Sequence, residues 1–200
     1  MNIQIKRALL AAGVATAMAL PLSSQASDGT ITFTGAVTAN TCTVSVNGAG
    51  NTTTVALPTV STSALTATAP RTTAAGTFFN MAVSSCTATP LSDFGGSAPT
   101  TVQIYFEAGP HVDETTGGLI NVAASGSNVE VNLYNASNAA VVGTQIKPGT
   151  SGVGSNQPAT QLMSAGGTQW FYAGYSTAGA GIAATAGAVS TTVTYSLIYQ

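Results

Sequence analysis

The chain has 200 residues, of which 44% are apolar and only 5% charged, with a formal net charge of −2. So little basic charge leaves no patch to hold phosphates, which excludes nucleic acid as a partner. A surface this poor in charge is also weakly protected from self-association, a liability for a monomer and tolerable for a subunit of an assembly.

The first 26 residues read as a cleaved secretory signal. Lys6 and Arg7 supply positive charge, residues 8–20 form an apolar run, Pro21 ends it, and Ser24-Gln25-Ala26 offers the small residues a signal peptidase selects. The apolar run is shorter than the roughly 20 residues that a membrane-spanning helix needs. Removing this segment takes Lys6 and Arg7 with it, and leaves Arg71 and Lys147 against six acids. The mature chain, from Ser27 onward, is long enough for one domain with a sizeable core.

Next comes "DGTITFTGAVTANTC", which alternates as a strand does, with Ile31, Phe33, Gly35 and Val37 on one face and Thr30, Thr32, Thr34 and Ala36 on the other. Two cysteines follow, Cys42 and Cys86. In a chain bound for an oxidising compartment their simplest reading is one intramolecular disulfide. A catalytic thiol or a metal site finds no support, since the single histidine, His111, has no ligand-like spacing to either cysteine.

Strand-like runs then recur along the chain: "CTVSV", "TTVALP", "TFFNMAV", "TTVQIYFE", "NVEVNLYN", "AAVVGTQI", "TQWFYAGY" and "STTVTYSLIY". Turn-rich stretches such as "NGAGN", "DFGGSAP" and "KPGTSGVGSNQP" separate them. This pattern predicts an all-β sandwich. The one helical turn it allows is "STSALTA". No fixed repeat or linker divides the chain.

The last run has the cleanest pattern. Val189, Thr191, Val193, Tyr195, Leu197 and Tyr199 alternate with Ser190, Thr192, Thr194, Ser196, Ile198 and Gln200, so one face is buried and the other wet. An immunoglobulin-like sandwich ordinarily pairs such a strand with one more. The expectation is therefore an incomplete sandwich, with a hydrophobic strand left unpaired at a sheet edge and open to another chain.

These residues resemble the pilin subunits of chaperone–usher fimbriae, in pattern the major type 1 pilus subunit. The likeness runs through "GTITFTGAVTANTC", "VALPTVSTSAL", "GTFFNMAVSSC", "NVEVNLYN" and "WFYAGYSTAGAGIAATAGAVSTTVTYSLIYQ". Like members of that family, the chain carries a glycine, Gly187, fourteenth from its end and a penultimate tyrosine, Tyr199. The resemblance implies an immunoglobulin-like β-sandwich lacking its final strand, completed by a donor strand from a neighbouring subunit. It implies residues 27–38 as the donor extension and 39–200 as the pilin domain. Ile31, Phe33, Gly35 and Val37 would enter the neighbour's groove, with Gly35 at a shallow point. Gly187, Val193, Tyr195, Leu197 and Tyr199 would form the acceptor groove and the surface first read by a periplasmic chaperone. The implied partners are identical or related pilin subunits, that chaperone and an outer-membrane usher. The implied route runs through the periplasm to a fimbria on the bacterial surface, where it supports adhesion.

Enzymatic readings find no foothold. Asp93, Glu107, Asp113, Glu114 and Glu130 are scattered in sequence, and no serine stands in a recognisable His/Asp arrangement. "HVDE" at residues 111–114 reads as a solvated turn rather than a cation or proton-transfer site. No cofactor or metal is implied. The alternative function is a self-contained, secreted carbohydrate-binding β-sandwich, with Trp170, Phe171, Tyr172 and Tyr175 as candidate sugar contacts.

Overall fold

The computed structural model describes residues 41–65, 76–88, 98–150, 155–177 and 182–200. All of these belong to the compact unit Ala36–Gln200. The signal segment and the donor residues Ile31, Phe33, Gly35 and Val37 lie outside the described residues.

Among the described residues, nine strands form two antiparallel sheets: β1 (Thr41–Val46), β2 (Gly76–Thr87), β3 (Thr101–Phe106), β4 (Leu119–Ile120), β5 (Val129–Asn138), β6 (Val141–Ile146), β7 (Gln161–Leu162), β8 (Gly167–Thr177) and β9 (Tyr195–Tyr199). The larger sheet runs β1-β2-β8-β5-β4, with β6 also on β5. The smaller runs β7-β3-β9. The helical turn expected in "STSALTA" is a single 3-10 turn, Thr62–Ala64, with the Ser61 hydroxyl accepting from Ser63 N–H.

Period-2 alternation builds the core as expected. Phe79, Met81 and Val83 of β2, Val129, Val131 and Leu133 of β5, and Phe171 and Tyr175 of β8 are buried from the larger sheet. Val102, Ile104 and Phe106 of β3 meet them from the smaller sheet. Phe171 joins the two layers: its ring stacks on Phe79 at 5.3 Å and takes Phe106 edge-on at 5.4 Å. Both geometries suit the quadrupoles of aromatic rings.

The structure departs from simple alternation in β5. All six residues from Val129 to Tyr134 are buried, so both faces of this strand are covered. On the side away from the core, Tyr134, Tyr172 and Phe78 form a second aromatic layer, with ring centroids 6.0 Å and 4.9 Å apart along the row. β5 lies inside the sheet, with β8 on one side and β4 and β6 on the other, and its outward residues Glu130, Asn132 and Tyr134 are buried as well as its core-facing ones. Local sequence does not show which strand that is.

The aromatic run in β8 divides in the same way. Phe171 and Tyr175 enter the sandwich core, Tyr172 enters the outer layer, and Trp170 is half-buried. The side chains of "TQWFYAGY" therefore point to opposite faces and do not converge on one sugar-binding platform.

Cys42 and Cys86 are disulfide-bonded, with Cα atoms 4.0 Å apart. The bond links the start of β1 to the end of β2, beside a bulge where the register shifts between Thr41 and Thr43. It closes a loop with a sequence separation of 44, a constraint on the unfolded chain worth about 4 kcal/mol in the chain-entropy model. Replacing Cys86 by Ser should cost about 2–5 kcal/mol and lower the urea midpoint. An unchanged midpoint would show that the sheet holds β1 without the bond.

Candidate strand-acceptor groove

Between the two sheets, on the side of β9 that faces away from β3, the described residues leave the sandwich open. The opening is a groove of about 900 Å³. Core residues form its floor, among them Phe79, Met81, Phe106 and Leu133. One wall is residues 51–57 with β1, and the other is the run from Val189 to Leu197. No charged residue lines it. The lining tyrosines 175 and 195 have their hydroxyl pKa values raised by burial, as expected where water is scarce.

The backbone of the walls is as informative as the side chains. "TTVALP" was expected to be a strand, but residues 52–57 make no backbone–backbone hydrogen bond among the described residues. The final run was expected to be one long strand, but β9 begins only at Tyr195. Upstream of it, Ser190 C=O accepts from Val122 N–H and Thr194 C=O accepts from Glu107 N–H, both on one side of the segment. Residues 191–193 make no backbone–backbone hydrogen bond among the described residues. Thr191 Oγ1 is buried without a hydrogen-bond partner. Both segments keep the inward alternation of strands without the ladder that defines one. Open peptide groups beside apolar pockets are what an added strand would satisfy.

Two tyrosines span from the smaller sheet to the other wall. Tyr199 Oη accepts from Cys42 N–H at 2.9 Å, and Tyr195 Oη donates to Asn51 C=O at 2.8 Å. β9 is thus tied to β1 and to the segment after it through side chains rather than through a backbone ladder. Of the residues expected to form the groove, Val193, Tyr195 and Leu197 line it, and Tyr199 packs on the core beside it.

Gly187 stands just before the lining run and does another job. A Cβ there would come within 2.5 Å of Ser127 N and 2.6 Å of Gly126 C. The neighbouring Ala188 bridges to Gly126 in parallel, and Asn121 locks the crossing by donating to the carbonyls of Ser127 and Ala188. Asn121 Oδ1 also accepts from Ser190 N–H. Glycine at 187 lets this backbone approach closely and so fixes where the groove wall begins.

The floor residues and the 51–57 wall were not singled out from the sequence as site residues. Their inward alternation was visible, but the gap beside them depends on which strands pair across the fold.

The comparisons with known proteins agree with this geometry. Residues 57–200 match the family model for the type-1 fimbrial protein, A (FimA). The chain belongs to the type-1 fimbrial protein family. It is 37% identical over 190 residues to the major fimbrial subunit SMF-1 of Stenotrophomonas maltophilia, covering 91% of this chain and 98% of that protein. It is 33% identical over 174 residues to the F17 fimbrial protein of Escherichia coli, covering 86% and 88%. A subunit from a solved chaperone–usher pilus covers 90% of this chain and all of its own, with a TM-score of 0.51 at 21% identity, which shows a shared fold. That fold is the incomplete immunoglobulin-like sandwich expected from the sequence.

Three substitutions separate the roles of these residues. Tyr199→Phe removes only the hydroxyl that receives Cys42 N–H and should cost about 0.5–1.5 kcal/mol. Tyr199→Ala also removes the ring and should cost about 3 kcal/mol or more. Equal effects in denaturant unfolding would show that the hydroxyl, not the packing, carries the residue. Gly187→Val should disrupt the crossing at residues 125–127, and a variant as stable as the parent would contradict the close approach.

Proposed function

We propose that this chain is a structural subunit of a surface fimbria that polymerises by strand addition. The observation that carries the proposal is the uncharged groove whose two walls alternate as strands do and leave backbone groups unpaired. The family it belongs to consists of structural fimbrial subunits, not enzymes.

In this reading residues 27–38 of one subunit enter the groove of the next. Ile31, Phe33 and Val37 place apolar side chains over the floor, and Gly35 lies where the groove leaves no depth for one. The donor's peptide groups pair with residues 52–57 and 191–193, which supplies affinity largely independent of sequence. Side-chain fit supplies the register. Each of the three large apolar side chains adds about 1.5–3 kcal/mol on full burial. The outward donor face, Thr30, Thr32, Thr34 and Ala36, stays small and mostly polar.

A groove of this kind is hazardous before assembly, because an open hydrophobic edge recruits any strand. A periplasmic chaperone that lends a strand answers that hazard. An outer-membrane usher then exchanges it for a donor during passage from periplasm to cell surface. Val193, Tyr195, Leu197 and Tyr199 form the groove side that the chaperone reads. The self-contained carbohydrate-binding module has less support, since the β8 aromatics divide between two buried layers.

Deleting residues 27–38 should leave the chaperone complex intact while abolishing incorporation as a donor, scored by fibre yield in electron microscopy. Gly35→Leu should slow exchange by tenfold or more without lowering the amount of chaperone complex. Normal fibres from the deletion variant would overturn the donor assignment.

A further inference from the structure

Away from the groove, on the outer face of the larger sheet, Glu130 and Asn132 of β5 are both about nine-tenths buried or more, at 6% exposure each. The turn at residues 113–118 closes over them. Asp113 Oδ1 accepts from Thr115 N–H at 2.7 Å and from Thr116 N–H at 3.2 Å, and Gly117 N–H returns to Asp113 C=O at 2.7 Å. Thr116 Oγ1 donates to Glu130 Oε2 at 3.0 Å.

This pocket holds more acceptors than donors. Thr116 joins the two acids, its N–H bonded to Asp113 Oδ1 and its hydroxyl to Glu130 Oε2, and the only cationic residue packed on this turn is Lys147, whose aliphatic stem lies against Gly117 among the described residues. Asn132 Nδ2 is directed at Tyr134 Oη, 3.4 Å away, which leaves Asn132 Oδ1 buried with no partner. Its direction is clear from Gly118. A Cβ at that position would clash with Glu130 Oε2 and stand 2.8 Å from Asn132 Oδ1. Both oxygens therefore converge on the space that the glycine leaves free.

A proton shared between the two carboxyls leaves Asn132 Oδ1 unpartnered. A hard cation relieves all three oxygens at once, and carboxylates with an amide carbonyl are the donors that calcium favours. We propose that Asp113, Glu130 and Asn132 form a calcium site that pins the 113–118 turn to β5. Burial raises the pKa of Glu130, with the Asp113 charge adding to it, while backbone donors lower that of Asp113. A cation would favour the ionised form of both. Two carboxylates make a low-charge site, so its affinity belongs with extracellular modules, with Kd about 10⁻⁴–10⁻³ M.

The test uses assembled fibres stripped with EDTA, dialysed, and titrated with CaCl2 by calorimetry, with thermal unfolding followed in parallel. The wild type should bind one calcium per subunit at this site and melt at higher temperature with calcium than without. Glu130→Gln should weaken binding by about tenfold or more, because one of two charged ligands is gone. Asn132→Asp, which adds a third carboxylate, should tighten binding and enlarge the calcium-dependent shift in Tm. This second variant decides the matter if Glu130→Gln fails to assemble. If the Asn132 amide is instead rotated to donate to Glu130, Asn132→Asp destabilises the fibre with no gain from calcium, which overturns the proposal. Absence of saturable binding, or binding unaffected by Glu130→Gln, overturns it as well.

Discussion

The structure depends on one unmet requirement: a hydrophobic core between two sheets whose walls do not close. Phe79, Met81, Phe106 and Leu133 form the floor of the groove, and the segments on either side of it run past each other without a backbone ladder among the described residues. Burial of apolar surface and pairing of backbone polar groups are the two strongest demands in folding. In this groove both converge on the same answer, a strand from elsewhere. The near absence of charge fits as well. In the proposed assembly, a surface that another copy covers gains little from electrostatic repulsion.

Around the groove, the fold invests in fixing its walls. The disulfide anchors β1 to β2, and the Tyr195 and Tyr199 hydroxyls hold β9 at its distance from β1 and residue 51. Gly187 and Asn121 seat the start of the last segment on residues 125–127. None of these contacts fills the groove. They hold its walls in place, and a preorganised site would bind the proposed strand with less ordering cost.

Much of this was legible in the sequence, because period-2 alternation survives wherever one face of a strand is buried. "TFFNMAV", "TTVQIYFE" and the final "YSLIY" became β2, β3 and β9 with the expected faces inward. Alternation also persists where no ladder forms, so "TTVALP" reads as a strand although residues 52–57 make no backbone–backbone hydrogen bond among the described residues. Pairing is a property of two distant segments and leaves no trace in either alone. The same limit hid β4 and β7, each only two residues long. It also hid the burial of Glu130, which in the sequence is one of several scattered acids and in the fold lies under the 113–118 turn. "HVDE" was read as a solvated turn. It is a turn, but Thr116, bonded to Asp113, ties it to Glu130 of β5.

The most direct measurement of the central claim is a density map of the assembled fibre that resolves side chains in the groove. Residues 31–37 of one subunit should lie between residues 52–57 and 191–197 of its neighbour, with Ile31, Phe33 and Val37 facing the floor. A fibre in which residues 31–37 pair within their own subunit, or in which the groove stays open, would contradict the account.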